Sequence, residues 1–108
     1  MKFNTQKLDA ILARYAVVTD RLNSGPDAET FVAFSRELAE LDPVVTGIKT
    51  LQSIEKDMID LDVLLKDPTT DAEMRALADD EYRELLKSHE AAAHDLRLLL
   101  LPKDSADE

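Results

Sequence analysis

The chain has 108 residues, of which 44% are hydrophobic, 33% are charged and only two are glycine, so its length and composition predict one all-α domain and exclude a disordered chain. Its net charge of −10 disfavours extensive contact with nucleic acid or anionic lipid. The absence of cysteine excludes disulfides, thiolate metal sites and cysteine nucleophiles.

The N-terminal residues lack the apolar run of a signal peptide, and no stretch of the sequence approaches the roughly eighteen apolar residues of a membrane span. We therefore expect a cytoplasmic protein without membrane contact.

Four helices are expected in chain order. The first has Thr5 as its N-cap and ends at residues 23–26, where Gly25 permits a left-handed exit and Pro26 stops the hydrogen-bond ladder. Asp27 caps a short second helix. Asp42 and Pro43 mark the start of a third, because proline is favoured at the first helical position. The apolar stripes expected to be buried contain Leu8, Ile11, Leu12, Tyr15, Val18 and Leu22, then Phe31, Phe34, Leu38 and Leu41, then Val44, Ile48, Leu51, Ile54, Met58, Leu61 and Leu65.

The last helix is expected to cover residues 71–101, with Thr70 or Asp71 as its N-cap and Pro102 beyond its end. At about 1.5 Å per residue it would be roughly 45 Å long and the longest element of the chain. Its stripe contains Met74, Leu77 or Ala78, Tyr82, Leu85, His89, Ala92, Leu96 and Leu99, and ion pairs are expected between Asp71 and Arg75 and between Asp79 and Arg83.

These elements predict an antiparallel helical bundle, or coiled-coil-like hairpins, of about four helices with a long C-terminal helix. Residues 1–101 would form the helical domain. Residues 102–108 would form a polar linker or tail, because they include no apolar residue large enough to pack.

The side chains that carry chemistry elsewhere do not form a site in this sequence. His89 and His94 are separated by about 140° around a helix and cannot share a metal ion. Carboxylates occur in two groups, but nothing shelters them as acid–base catalysis would require; they are Asp57, Asp60, Asp62, Asp79, Asp80 and Glu81. No catalytic, cofactor-binding or metal-binding residue is therefore predicted, and no cofactor.

The four leucines at residues 98–101 leave two interpretations open. Four consecutive apolar residues cannot all lie on one helical stripe, so they form either an exposed patch that binds a partner or a helix end buried on two sides. Tyr15, Phe31 and Phe34 are expected in the core, because the chain has only five aromatic residues.

Several short segments, in order, carry a resemblance that covers nearly the entire chain. They are Leu8 and Tyr15 in the first helix, FSREL at residues 34–38, LKDP at 65–68, Met74 with ADDE at 78–81, and LLLLPKD at 98–104. This ordered set resembles the N-terminal helical domain of bacterial class I peptide chain release factors, and it is more similar to the type that reads UAA and UAG than to the type that reads UGA.

The resemblance implies that the full-length protein recognises a stop codon on the ribosome and promotes hydrolysis of peptidyl-tRNA. In that family hydrolysis depends on a Gly-Gly-Gln loop and codon reading on a Pro-x-Thr segment, both in later domains, and no Gly-Gly-Gln sequence occurs in these 108 residues. This chain is thus expected not to be an enzyme. The resemblance implies a docking arm near the ribosomal stalk base that contacts the recycling GTPase release factor and the glutamine methyltransferase.

A second interpretation uses the apolar stripes alone. A free-standing helical adaptor or coiled-coil module would bind a partner helix along such a stripe.

Overall fold

The structure is a computed structural model that describes residues 3–102, and the predicted tail from Lys103 onward lies outside the described residues. Three helices follow one another: α1 over Thr5–Asn23, α2 over Ala28–Lys66 and α3 over Ala72–Leu99. Residues 3–102 contain no strand. The prediction of an all-α fold is confirmed, whereas the expected count of about four helices is too high.

The predicted boundary at Asp42 and Pro43 is wrong, because α2 continues through Pro43 for a total of 39 residues. Asp42 does not cap a helix; its carboxylate accepts a hydrogen bond from the Tyr15 hydroxyl at 2.8 Å. A proline inside a helix costs about 3 kcal/mol. Val45 and Ile48 follow within two turns and are buried, and burial of each is worth about 1.5 to 3 kcal/mol. Together they outweigh the cost of the proline.

The expectation that the last helix is the longest element is therefore also wrong, since α3 has 28 residues. It ends at Leu99, and the N–H of Leu100 donates to the carbonyl of Leu96 at 3.0 Å. Asp71 is the N-cap, as one of the two predicted alternatives, and its carboxylate accepts from the N–H of Met74 at 2.8 Å.

The start of α1 differs by one residue from the prediction. Asn4, not Thr5, is the N-cap, and its side-chain oxygen accepts from the N–H groups of Gln6 and Lys7 at 3.0 and 3.3 Å. The predicted end is confirmed, because Gly25 has a φ of 72°. Asp27 caps α2 as predicted, and its side chain accepts from the N–H of Thr30 at 3.3 Å.

The described residues fall into two compact units, one up to Ile48 and one from Lys49 onward. In unit 1, α1 is linked to the first half of α2, and the buried residues are Leu8, Val18, Val45 and Ile48. In unit 2, the second half of α2 forms an antiparallel hairpin with α3, and the buried residues are Leu51, Ala78, Ala93 and Leu96. Each unit thus has a small core.

Candidate interaction surfaces

Unit 2 has a shallow groove between the second half of α2 and α3. It is lined from α2 by Glu55, Met58 and Ile59, and from α3 by Tyr82 and His89. Met58 and Tyr82 are partly buried, and Ile59 is 64% exposed. The groove therefore combines an apolar floor with an accessible aliphatic side chain. We call these five residues the unit 2 groove.

A hydrogen bond between His89 and Glu55 joins the two helices across the unit 2 groove. The Nε2 of His89 lies 2.9 Å from the Oε2 of Glu55. Because an ionised carboxylate only accepts, the N–H of the ring donates. His89 thus joins α3 to α2, and His94 is exposed elsewhere on α3.

Two aliphatic side chains on α2 extend the exposed apolar surface beside the unit 2 groove. Ile59 and Val63 are both 64% exposed, and as an i, i+4 pair they lie on one face of the helix. Leu86 of α3, one turn from Tyr82, is 48% exposed. Periodicity alone does not mark Ile59, Val63 or Leu86 as functional candidates. The sequence does contain one sign that Ile59 and Val63 are exposed. Both lie off the apolar stripe from Val44 to Leu65, in a stretch where apolar residues alternate with carboxylates.

The C-terminal leucines are the second exposed apolar cluster. Leu98, Leu99 and Leu101 are 55%, 44% and 51% exposed, and Leu100 is partly buried. Of the two interpretations, the structure therefore favours the exposed patch over a helix end buried on two sides. We call Leu98, Leu99 and Leu101 the leucine cluster.

The loop between α2 and α3 is held by one arginine. The guanidinium of Arg75 donates to the carbonyls of Leu65, Asp67 and Thr70, the latter two at 3.1 Å. The expected ion pair between Asp71 and Arg75 is replaced by these bonds, because Asp71 is occupied as the N-cap. Leu65 lies in the last turn of α2, where carbonyls lack intrahelical partners, and the guanidinium of Arg75 satisfies its carbonyl.

Unit 1 contains an arginine that joins α1 to α2. The guanidinium of Arg14 forms two hydrogen bonds with the carboxylate of Glu37, at 2.5 and 2.7 Å, and lies 5.3 Å from the ring centre of Phe34. The hydrogen bond from Arg14 lowers the pKa of Glu37 below its usual value. Phe34 is partly buried, but Phe31 is 53% exposed, so its predicted place in the core is wrong.

The carboxylates considered for catalysis lie in solvated positions. Three of them form ion pairs one helical turn away: Asp60 with Lys56 at 3.2 Å, Asp62 with Lys66 at 2.8 Å, and Asp79 with Arg83 at 2.9 Å. Asp57, Asp80 and Glu81 are exposed. Within residues 3–102, no group of three His, Asp or Glu side chains is placed to hold a metal ion.

The helices of the described region differ from membrane spans in composition. Between residues 3 and 102, no helix combines the length and the apolar character needed to cross a bilayer.

Comparison with known families gives a match to the PCRF domain. The family model of this domain matches residues 11–108, which is all of the chain except its first ten residues. No solved structure matches the chain.

Proposed function

Because this chain belongs to the PCRF domain family of peptide chain release factors, we propose that it is the N-terminal domain of a bacterial class I release factor of the type that reads UAA and UAG. Translation termination is the role that the family indicates. The match over residues 11–108 is the observation that carries the proposal. The choice of codon type rests on the resemblance of the ordered set of segments, which runs from Leu8 to LLLLPKD at residues 98–104.

The task of this domain is docking rather than chemistry. Support comes from side chains that a docking surface requires, namely the apolar floor of the unit 2 groove and the leucine cluster. The residues that would cut peptidyl-tRNA belong to a later part of the full-length factor, and residues 102–108 would lead toward it. By itself the 108-residue chain would hydrolyse nothing.

The partners implied by the family are the stalk-base region of the ribosome, the recycling GTPase release factor and the glutamine methyltransferase. The net charge of −10 favours protein partners over a large RNA footprint, because phosphate repels an acidic surface. The cytoplasm, where translation takes place, is the proposed location.

A release assay tests the proposal. Termination complexes with UAA, UAG or UGA in the ribosomal A site are mixed with the 108-residue chain or with the product of the complete gene. We expect release by the gene product at UAA and UAG but not at UGA, and no release by the 108-residue chain. Release at UGA would contradict the codon type, and release by the 108-residue chain would contradict the assignment to docking.

Sedimentation of ribosomes measures docking separately. The 108-residue chain is expected to pellet with ribosomes and to be displaced by the complete gene product. If the 108-residue chain does not pellet with ribosomes at concentrations at which the complete gene product binds, the docking role is contradicted.

A further inference from the structure

We propose that the unit 2 groove and the adjoining side chains of Val63 and Leu86 form a docking site for a basic amphipathic helix of another protein. This inference deepens the proposed docking function and rests on it. It adds the surface that is used and the chemistry of the partner.

The first argument is the shape and composition of the surface. The unit 2 groove runs between two helices and has Met58 and Tyr82 on its floor. Glu55, Ile59 and Val63 follow one another at intervals of four residues along α2, so they mark one edge over about 12 Å, or about two helical turns. A third helix that packs along two others buries its apolar face in such a groove, as in peptide recognition by helix-in-groove domains.

The second argument is the exposure of the aliphatic residues at the edge. Ile59 and Val63 are each 64% exposed, the highest values among the large hydrophobic residues that the structure describes as exposed. Scattered single exposed aliphatic residues are ordinary, but a pair on one face beside an apolar groove forms a contiguous patch. A partner that covered the pair would gain the free energy of removing it from water.

Charge selects the occupant. Residues 49–102 contain thirteen Asp and Glu and seven Lys and Arg, a net charge of −6 with neutral histidines. Four of these basic side chains are already paired with carboxylates on their own helices, at 3.2, 2.8, 2.9 and 3.5 Å; they are Lys56, Lys66, Arg83 and Lys87. The uncompensated charge around the groove is therefore negative. It attracts a segment that carries Lys or Arg beside its apolar stripe.

The same charge disfavours other occupants. A second copy of the chain would bring another net charge of −10, and nucleic acid or an anionic membrane would also bring negative charge to a negative surface. A cationic protein helix is the occupant that satisfies both the apolar floor and the surrounding field.

The test uses a fluorescent synthetic peptide of about eighteen residues, long enough to exceed the groove by several turns. Leucine occupies the helically spaced positions and lysine the others, and a control peptide has glutamate in place of every lysine. Binding to the 108-residue chain is measured by fluorescence anisotropy. We expect binding of the lysine peptide, none of the glutamate peptide, and weaker binding as salt is added.

The variants separate apolar docking from simple charge attraction. Ile59→Glu and Val63→Glu add negative charge, so pure charge attraction would strengthen binding, whereas docking in the groove predicts a loss of at least about tenfold for each. Leu77→Glu and Val32→Glu are the matched controls. Both side chains are exposed, and neither lines the unit 2 groove. They are expected to change the affinity less than about threefold.

Equal effects of the groove variants and the controls would overturn the proposal, as would stronger binding by Ile59→Glu. A chain that sediments as a dimer and is split by Ile59→Glu would assign the surface to a second copy instead. Because no ribosome is present, this test is independent of the release and pelleting assays. Failure here with intact ribosome binding would reject the groove as the site and leave the docking function in place.

Discussion

At the scale of single residues, Arg75 is the side chain on which the connection between α2 and α3 depends most. Its guanidinium serves three carbonyls at once, and an ammonium group cannot reproduce this fork. Hydrogen bonds to charged groups are worth about 1.5 to 3 kcal/mol. We expect Arg75→Ala to lower the free energy of unfolding by about 2 kcal/mol and Arg75→Lys to recover only part of it.

Urea denaturation followed by circular dichroism measures this effect. The matched control is Arg83→Ala, which removes an exposed i, i+4 ion pair with Asp79 and is expected to cost less than about 0.5 kcal/mol. Equal losses in the two variants would show that the carbonyl contacts of Arg75 contribute no more than a surface ion pair.

The carboxylate of Glu37 is expected to make the stability of the chain depend on pH. Its hydrogen bond with Arg14 lowers its pKa below the ordinary value of 4.5. A carboxyl whose pKa is lowered by folding stabilises the protein above its unfolded pKa, and this contribution is lost as the pH falls through the folded pKa. We therefore expect Glu37→Gln to destabilise the chain at pH 7 and to match the unsubstituted chain once the pH is well below 4.5.

The free energy of unfolding measured from pH 7 to pH 3 checks this convergence. Glu81→Gln is the control, because Glu81 is exposed and is joined to no other residue by the ion pairs of the described region. Its curve is expected to run parallel to that of the unsubstituted chain. A constant difference between Glu37→Gln and the unsubstituted chain at every pH would contradict the assigned role of the carboxylate.

At the scale of helices, Pro43 is the residue that α2 tolerates at a cost. It lacks the N–H that would bond to the carbonyl of residue 39, and its ring clashes with that carbonyl. We expect Pro43→Ala to raise the free energy of unfolding by about 1 to 3 kcal/mol. The gain is smaller than the full cost of a helical proline, because alanine increases the conformational entropy of the unfolded chain.

Thermal and urea unfolding of Pro43→Ala provide the measurement, with Thr46→Ala as a control for helix propensity alone. Thr46 is exposed in the same helix, and its replacement is expected to gain no more than about 0.7 kcal/mol. A loss of stability in Pro43→Ala would mean that α2 requires the proline.

The errors of the sequence analysis at this scale have one cause. Gly25 and Asp27 have the roles that the sequence predicts, and Asp71 is one of the two N-caps that the sequence leaves open, because a left-handed turn and an N-cap depend on the residue and its immediate neighbours. Pro43 predicts the start of a helix equally strongly, but α2 continues through it. Whether the helix continues depends on the burial of Val45 and Ile48. A local pattern does not contain the energy of a tertiary contact.

The candidate surfaces were less predictable than the helices. The sequence placed Tyr82, Met58 and His89 on buried stripes, and they are partly buried. It did not show that they border a groove, because the groove depends on how closely α2 and α3 approach. The exposure of the leucine cluster likewise depends on which other side chains cover it, so periodicity left two interpretations open.

At the scale of the molecule, little apolar surface is fully buried and much remains outside. Eight hydrophobic residues are buried among residues 3–102, whereas eleven large hydrophobic side chains are exposed. Such a surface would promote association, but a net charge of −10 opposes it. We therefore expect the oligomeric state in dilute buffer to depend on a balance between apolar attraction and charge repulsion.

This balance predicts that self-association depends on salt. The Debye length falls from about 30 Å at 0.01 M to about 3 Å at 1 M salt, so high salt removes the repulsion and leaves the apolar attraction. We expect sedimentation velocity at pH 7.5 to give a monomer at about 0.01 M sodium chloride and reversible larger species at about 1 M.

The double variant Leu98→Ser with Leu101→Ser should remain monomeric at both salt concentrations, because it removes most of the leucine cluster. Phe31→Ser, at an exposed residue in unit 1, is the matched control and should still associate. Association of the double variant at the level of the unsubstituted chain would assign the attraction to another surface, and association already at low salt would show that the net charge does not protect the monomer.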